Sequence, residues 1–181
     1  MTLSAIEAEV NPSLNGNTRN LDLARRLFAP EYIEVASHGL RHPFDWRSAT
    51  EGYAFAYKES DYSVERETLG SMRYFAELTG KPCNLFLWTG RCNPRSDAVT
   101  LLEKAGKLNL NGGDPIMDPQ FPSLAYFPGP TKQLGAGIQY HSAASNDYIY
   151  TNRWLGPYYG FRNVIHTFHN TESPRGLAPI D

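Results

Sequence analysis

Apolar positions along the chain fall into short stretches whose spacing switches between helical and extended. From Leu21 to Ala29, Leu23 and Leu27 stand four apart with Ala24 and Phe28 beside them, a helical pattern that Pro30 stops. Tyr32–Ser37 is a short β-rich run and predicts a strand. Val64, Leu69, Met72, Phe75 and Leu78 recur at steps of mostly three and predict a helix over 64–79, with Ser63 as N-cap and Gly80 as its stop. Asn84–Trp88 predicts a buried strand. Ser96 is expected to cap a helix over Asp97–Ala105 that Gly106 ends, and Lys107–Asn111 a further strand. Farther on, Gly137–Tyr140 and Tyr148–Thr151 are candidate strands and Tyr158–Phe168 a candidate helix, whereas residues 1–20 read as irregular.

The order helix, strand, loop, helix, strand, loop, helix, strand implies an α/β fold with parallel strands and helices outside. Ligands in such sheets bind beyond the carboxyl ends of the strands. The loops that would open on that face are His38–Trp46, Thr89–Arg95 and Gly112–Pro119. Together they hold His38, His42, Asp45, Arg91, Arg95 and Asp114.

A length of 181 residues fits one domain over 1–181. The formal net charge of -2 argues against nucleic acid as the main partner, because phosphate binding wants a basic surface. The longest apolar run is Tyr53–Tyr57, far short of a membrane span, and residues 1–20 carry no apolar core of a secretory signal, which leaves the compartment open. Cys83 and Cys92 make no disulfide framework and are too few for a Cys-rich zinc site; they read as small core or near-core residues. Residues 115–181 carry only 8 of the 36 charged side chains but 11 of the 23 aromatic ones, so they read as an irregular, folded segment and not a disordered tail.

His38 and His42 form an H-x-x-x-H pattern at a strand end. Two imidazoles at that spacing can face one divalent cation; surface or hydrogen-bonded histidines are the plainer reading. Asp45 or Asp114 could add an oxygen ligand, or each could be a loop or turn aspartate, since Asp114-Pro115 favours a turn.

The segment Val35-Ala36-Ser37-His38-Gly39-Leu40-Arg41-His42-Pro43 resembles the second motif of the polysaccharide deacetylases (NodB-homology domains, carbohydrate esterase family 4). Downstream, Leu78-Thr79-Gly80-Lys81-Pro82 ends a helix before a buried strand, and Gly90-Arg91-Cys92-Asn93-Pro94 stands where that family has R-P-P-Y. Asn111-Gly112-Gly113-Asp114 and Tyr158-Tyr159-Gly160-Phe161-Arg162 look most like the Pel-type exopolysaccharide deacetylase domains. The resemblance covers roughly residues 11–181. It implies a partial or distorted (β/α) barrel and a divalent metal, zinc by ligand type, on His38 and His42. It also implies metal-dependent deacetylation of an N-acetylated amino-sugar polysaccharide. By the resemblance Arg91 would orient the family's base carboxylate; Asp114 is a further catalytic candidate. Trp46, Trp88, Trp154 and Tyr158 could stack on sugar rings, or could be aromatic core and loop anchors.

Nothing before His38 resembles the family's T-F-D-D-G motif, which supplies the base and the third ligand, and the chain reads as lacking strands at both ends. Two other readings follow. One is a non-catalytic carbohydrate-binding or structural remnant of the fold. The other is an incomplete gene product whose exposed strand edges pair with another chain.

Overall fold

A computed structural model of the chain describes residues 1–47, 62–112 and 129–141, together with the backbone of 116–118 and 123–126. The chain divides into two compact units, Met1–Gly112 with Thr131–Tyr140, and Gly113–Pro130 with His141–Asp181.

The first unit is built on a four-stranded, all-parallel sheet of β1 (Thr2–Ala5), β2 (Glu34–Ser37), β3 (Cys83–Leu87) and β4 (Leu108–Leu110), ordered as in the sequence. The α/β character expected from the alternation is present. Residues 1–20, expected to be irregular, are not. They supply β1, a short α1 (Glu7–Val10) and the start of α2 (Thr18–Phe28). The chain therefore does not lack a strand before β2. A four-residue strand has too few positions to show a period-two pattern. What makes Thr2–Ala5 a strand is pairing, in register with Glu34–Ser37.

Asn17 caps α2 by accepting the Asn20 backbone N–H at 2.9 Å, the local signal that starts this helix upstream of its apolar stretch. Its buried face is Ala24 and Phe28, while Leu23 and Leu27 remain about half exposed. The four-apart leucines thus lie on the wrong side of the stripe. The second predicted helix holds: Ser63 accepts from the Arg66 backbone N–H, and Gly80 ends α3 (Ser71–Thr79) at φ 67°. Ahead of α3, however, runs a π-helical turn, Arg66–Gly70. Ser96 does not cap α4 (Ser96–Lys104); it is the helix's first residue, and the cap position is Arg95, with no side-chain cap bond.

The core lies between sheet and helices. Met72 and Phe75 of α3 and Ala98, Val99 and Leu102 of α4 belong to one buried cluster with Val35 and Phe86 of the sheet. A hairpin of β7 (Thr131–Leu134) and β8 (Gly137–Tyr140) sits against α4 so closely that a Cβ on Gly137 would lie 2.9 Å from Val99. No helix among the described residues is long and apolar enough to cross a membrane.

In the second unit, β5 (Ile116–Asp118) pairs antiparallel with β6 (Ser123–Tyr126), so part of the expected Gly112–Pro119 loop is strand. Asp114, the Tyr148–Thr151 strand, the Tyr158–Phe168 helix, Trp154 and Tyr158 lie outside the described residues.

Candidate functional site

The carboxyl ends of β2, β3 and β4 carry three loops. Among the described residues, the non-glycine positions with positive φ are His42 (58°), Cys92 (47°) and Asn111 (89°), one in each of these loops. Residues of this kind cost about 1–3 kcal/mol each and persist where the surroundings over-determine them. Their clustering at one end of the sheet points to the end where an α/β protein places its ligands.

His38 and His42 come together there. Their ring centroids are 5.0 Å apart, edge to face. His38 Nδ1 lies 3.0 Å from the Leu87 carbonyl, so in the neutral ring Nδ1–H donates and Nε2 keeps its lone pair. Burial, then the neighbouring charge of His42, push the His38 imidazole down to about 4. It is neutral at pH 7, as a ligating imidazole must be. A metal-bound histidine typically donates its second nitrogen to a carbonyl in this way. The pair therefore fits two ligands of a divalent cation. Among the described residues, no group of three or more His, Cys, Asp or Glu side chains is gathered closely enough to hold a metal.

The loop between the histidines is held from two sides. On one side the chain leaving β1 runs beside it: Ala5 O accepts from His38 N, Glu7 N donates to Gly39 O and Ala8 N donates to Leu40 O. On the other side stands Glu67, fully buried, in the π-helical turn. Its carboxylate accepts the Leu40 N–H at 2.8 Å and the Arg41 N–H at 3.2 Å. Burial outweighs these bonds and pushes the Glu67 carboxyl up to about 7. Arg66, its neighbour in the turn, makes a two-pronged ion pair with the buried Glu7 at 2.5 and 2.7 Å. Glu7 also accepts from Asn11 Nδ2. This carboxylate at the end of β1 is thus spent on structure. The sequence does not single out either glutamate, because neither sits in a motif and the pattern of residues 1–20 predicts no strand that would place Glu7.

Arg91 is on the rim, with its side chain 61% exposed. Its guanidinium donates to Asp45 at 3.2 Å and lies over the Phe44 ring at 5.5 Å. Asp45 also accepts from the Arg47 backbone and from Asn93 Nδ2, and these donors, the Arg47 N–H first, hold its carboxyl below the usual range. Asp45 therefore fastens the β2 loop to the β3 loop and does not join the histidines as a third ligand.

Trp46 and Trp88 are core rings, at most 1% exposed. They stack edge to face at 5.0 Å with Phe86 against both, and their indole N–H groups donate to Thr89 Oγ1 and Asn109 Oδ1. A sugar cannot reach them, so for these two the anchor reading replaces the stacking one. Comparison with family models, curated proteins and solved structures gives no match to this chain.

Proposed function

We propose that this chain is a metal-dependent hydrolase of the polysaccharide deacetylase type, acting on an N-acetylated amino-sugar polymer, and that its sheet is part of a distorted (β/α) barrel. One observation carries the reading. Two imidazoles meet at the carboxyl end of a parallel strand, with His38 locked in the tautomer and the neutral state that a ligand needs. The motif around them is the one that resembles the deacetylases.

In this reading His38 and His42 hold a divalent cation, zinc by ligand type. When bound, such a cation polarises the amide carbonyl and lowers the pKa of its water. Asp114 is the catalytic carboxylate candidate of this reading. Arg91, steered by Asp45, stands at the rim where the polymer passes. Trp154 and Tyr158 keep the sugar-stacking role that the buried Trp46 and Trp88 lose.

The test is zinc content together with acetate release from an N-acetylated amino-sugar oligomer, for the wild-type chain and for His38→Ala and His42→Ala. Stoichiometric zinc and release that both variants abolish are expected. Zinc-free protein with no release above the variants would overturn the proposal. Oligomer retained without turnover would leave the glycan-binding remnant in its place.

A further inference from the structure

The peptide groups of residues 39–41, between the two histidines, are almost fully engaged. Gly39 N–H donates to Ser37 Oγ at 3.2 Å, and the Gly39 and Leu40 carbonyls accept from Glu7 and Ala8. The Leu40 and Arg41 N–H groups go to one side chain, Glu67. Ser37 Oγ is in turn 2.7 Å from Ser71 Oγ, and Ser71 donates to the Glu67 and Thr68 carbonyls of the turn that carries the carboxylate. Gly39 stands at φ 86°, and a Cβ there would lie 3.1 Å from Glu67 Oε2. The glycine is what lets the carboxylate come this close.

A fully buried carboxylate is a costly way to satisfy two N–H groups in a core. The carboxylate stands in a π-helical turn, a form found mostly as a single-turn insertion in α-helices and frequent at functional sites. We infer that Glu67 is a positioning residue: by gripping the backbone of Leu40 and Arg41 from inside the protein, it sets the distance and mutual angle of the His38 and His42 rings. The inference rests on reading those rings as a ligand pair. The grip itself is independent of any metal.

The experiment therefore has a metal arm and a metal-free arm, both on the full chain. In the first, Zn2+ is titrated calorimetrically into the wild type, Glu67→Ala, Glu67→Gln and, as a core control, Met72→Ala. Loss of a partner outside the ligand shell typically weakens metal affinity by about 10–100-fold. That loss is expected for Glu67→Ala, a smaller one for Glu67→Gln, which keeps a neutral acceptor on the same stem, and none for Met72→Ala.

In the second arm, NMR on metal-free protein follows the ring-to-ring NOE of His38 and His42 and the amide exchange of Leu40 and Arg41. At pH 8, where the wild-type carboxylate is charged, exchanging it for a neutral acceptor should speed those two amides about tenfold in Glu67→Gln. In Glu67→Ala they should exchange faster still and the NOE should vanish, while the Phe86 amide in β3 is unmoved. Wild-type zinc affinity in Glu67→Ala, or a retained NOE with wild-type exchange, overturns the inference. If the wild type takes up no zinc, the ligand-pair reading fails, and the NOE and exchange decide the positioning role alone. If Glu67→Ala does not fold, wild-type exchange of Leu40 and Arg41 in Glu67→Gln is the overturning result.

Discussion

A carboxylate that orders a loop by being buried should tax the fold that holds it, and pH exposes the tax. Glu67 ionises at about 7 in the folded chain against an ordinary value of 4.5. Between these values the folded chain holds a proton that the unfolded chain has released, so stability falls as pH rises through the window. The full gap corresponds to about 3 kcal/mol, an upper figure and a large part of the roughly 5–15 kcal/mol that holds a typical domain. Glu67→Gln has the same size and cannot ionise. Its stability relative to the wild type should therefore improve by up to about 3 kcal/mol between pH 4.5 and pH 8. His38, pushed the other way to about 4, makes both proteins gain stability as pH rises from about 4 to 6.5, and this contribution cancels in the difference. Urea unfolding at both pH values, followed by tryptophan fluorescence, measures it. A stability difference that does not change with pH would refute the reasoning. The variant that is globally firmer at pH 8 is also the one expected to hold its histidine loop more loosely.

The other expectations concern the supports around that loop. Gly90→Ala should lose more than about 2 kcal/mol, because Gly90 has φ 58° and a Cβ would stand 2.2 Å from the Phe44 carbonyl oxygen. Gly80→Ala meets nothing within 4 Å and should lose only the strain of its positive φ; equal melting temperatures for the two variants would sink the argument. Arg66→Ala leaves the buried Glu7 without its cation and should cost about 3–5 kcal/mol. Arg73→Ala breaks an exposed pair with Glu65 and should cost under about 1 kcal/mol, so similar urea midpoints would contradict the distinction. Trp46→Ala should lose about 3–5 kcal/mol by opening a cavity beside Trp88 and Phe86. Wild-type stability with lost glycan retention would instead restore Trp46 as a sugar platform.

The sequence disclosed elements wherever the chain itself satisfied its peptide groups or covered its apolar face. Val64–Thr79 shows its period, its Ser63 cap and its Gly80 stop in the letters, and all three are present. What stayed hidden depends on partners far along the chain. Thr2–Ala5 is a strand because residues 34–37 lie beside it, and α2 buries Ala24 and Phe28 while Leu23 and Leu27 stay half exposed. The π-helical turn is invisible to any count of threes and fours. In the site the spacing of His38 and His42 was legible and their convergence follows it. Glu67 was not, since its work is done on the backbone of residues 27 and 26 positions away.

The three strand-end loops are also fastened to one another. Gly90 presses on Phe44 while Arg91 N–H donates to its carbonyl; Asp45 takes Asn93 and Arg91; and the buried Gln139 of β8 donates to the carbonyls of both Cys92 and Asn111. The ties made by Asn93 and Gln139 are part-buried, where leaving a partner unmet costs about 1–3 kcal/mol. Loops that served only to connect would satisfy these groups with water and would not hold His42, Cys92 and Asn111 at positive φ. A frame so closely cross-linked fixes the orientation of the few side chains it presents. That is what a pair of imidazoles requires if it is to bind an ion on arrival and not reorganise to receive it.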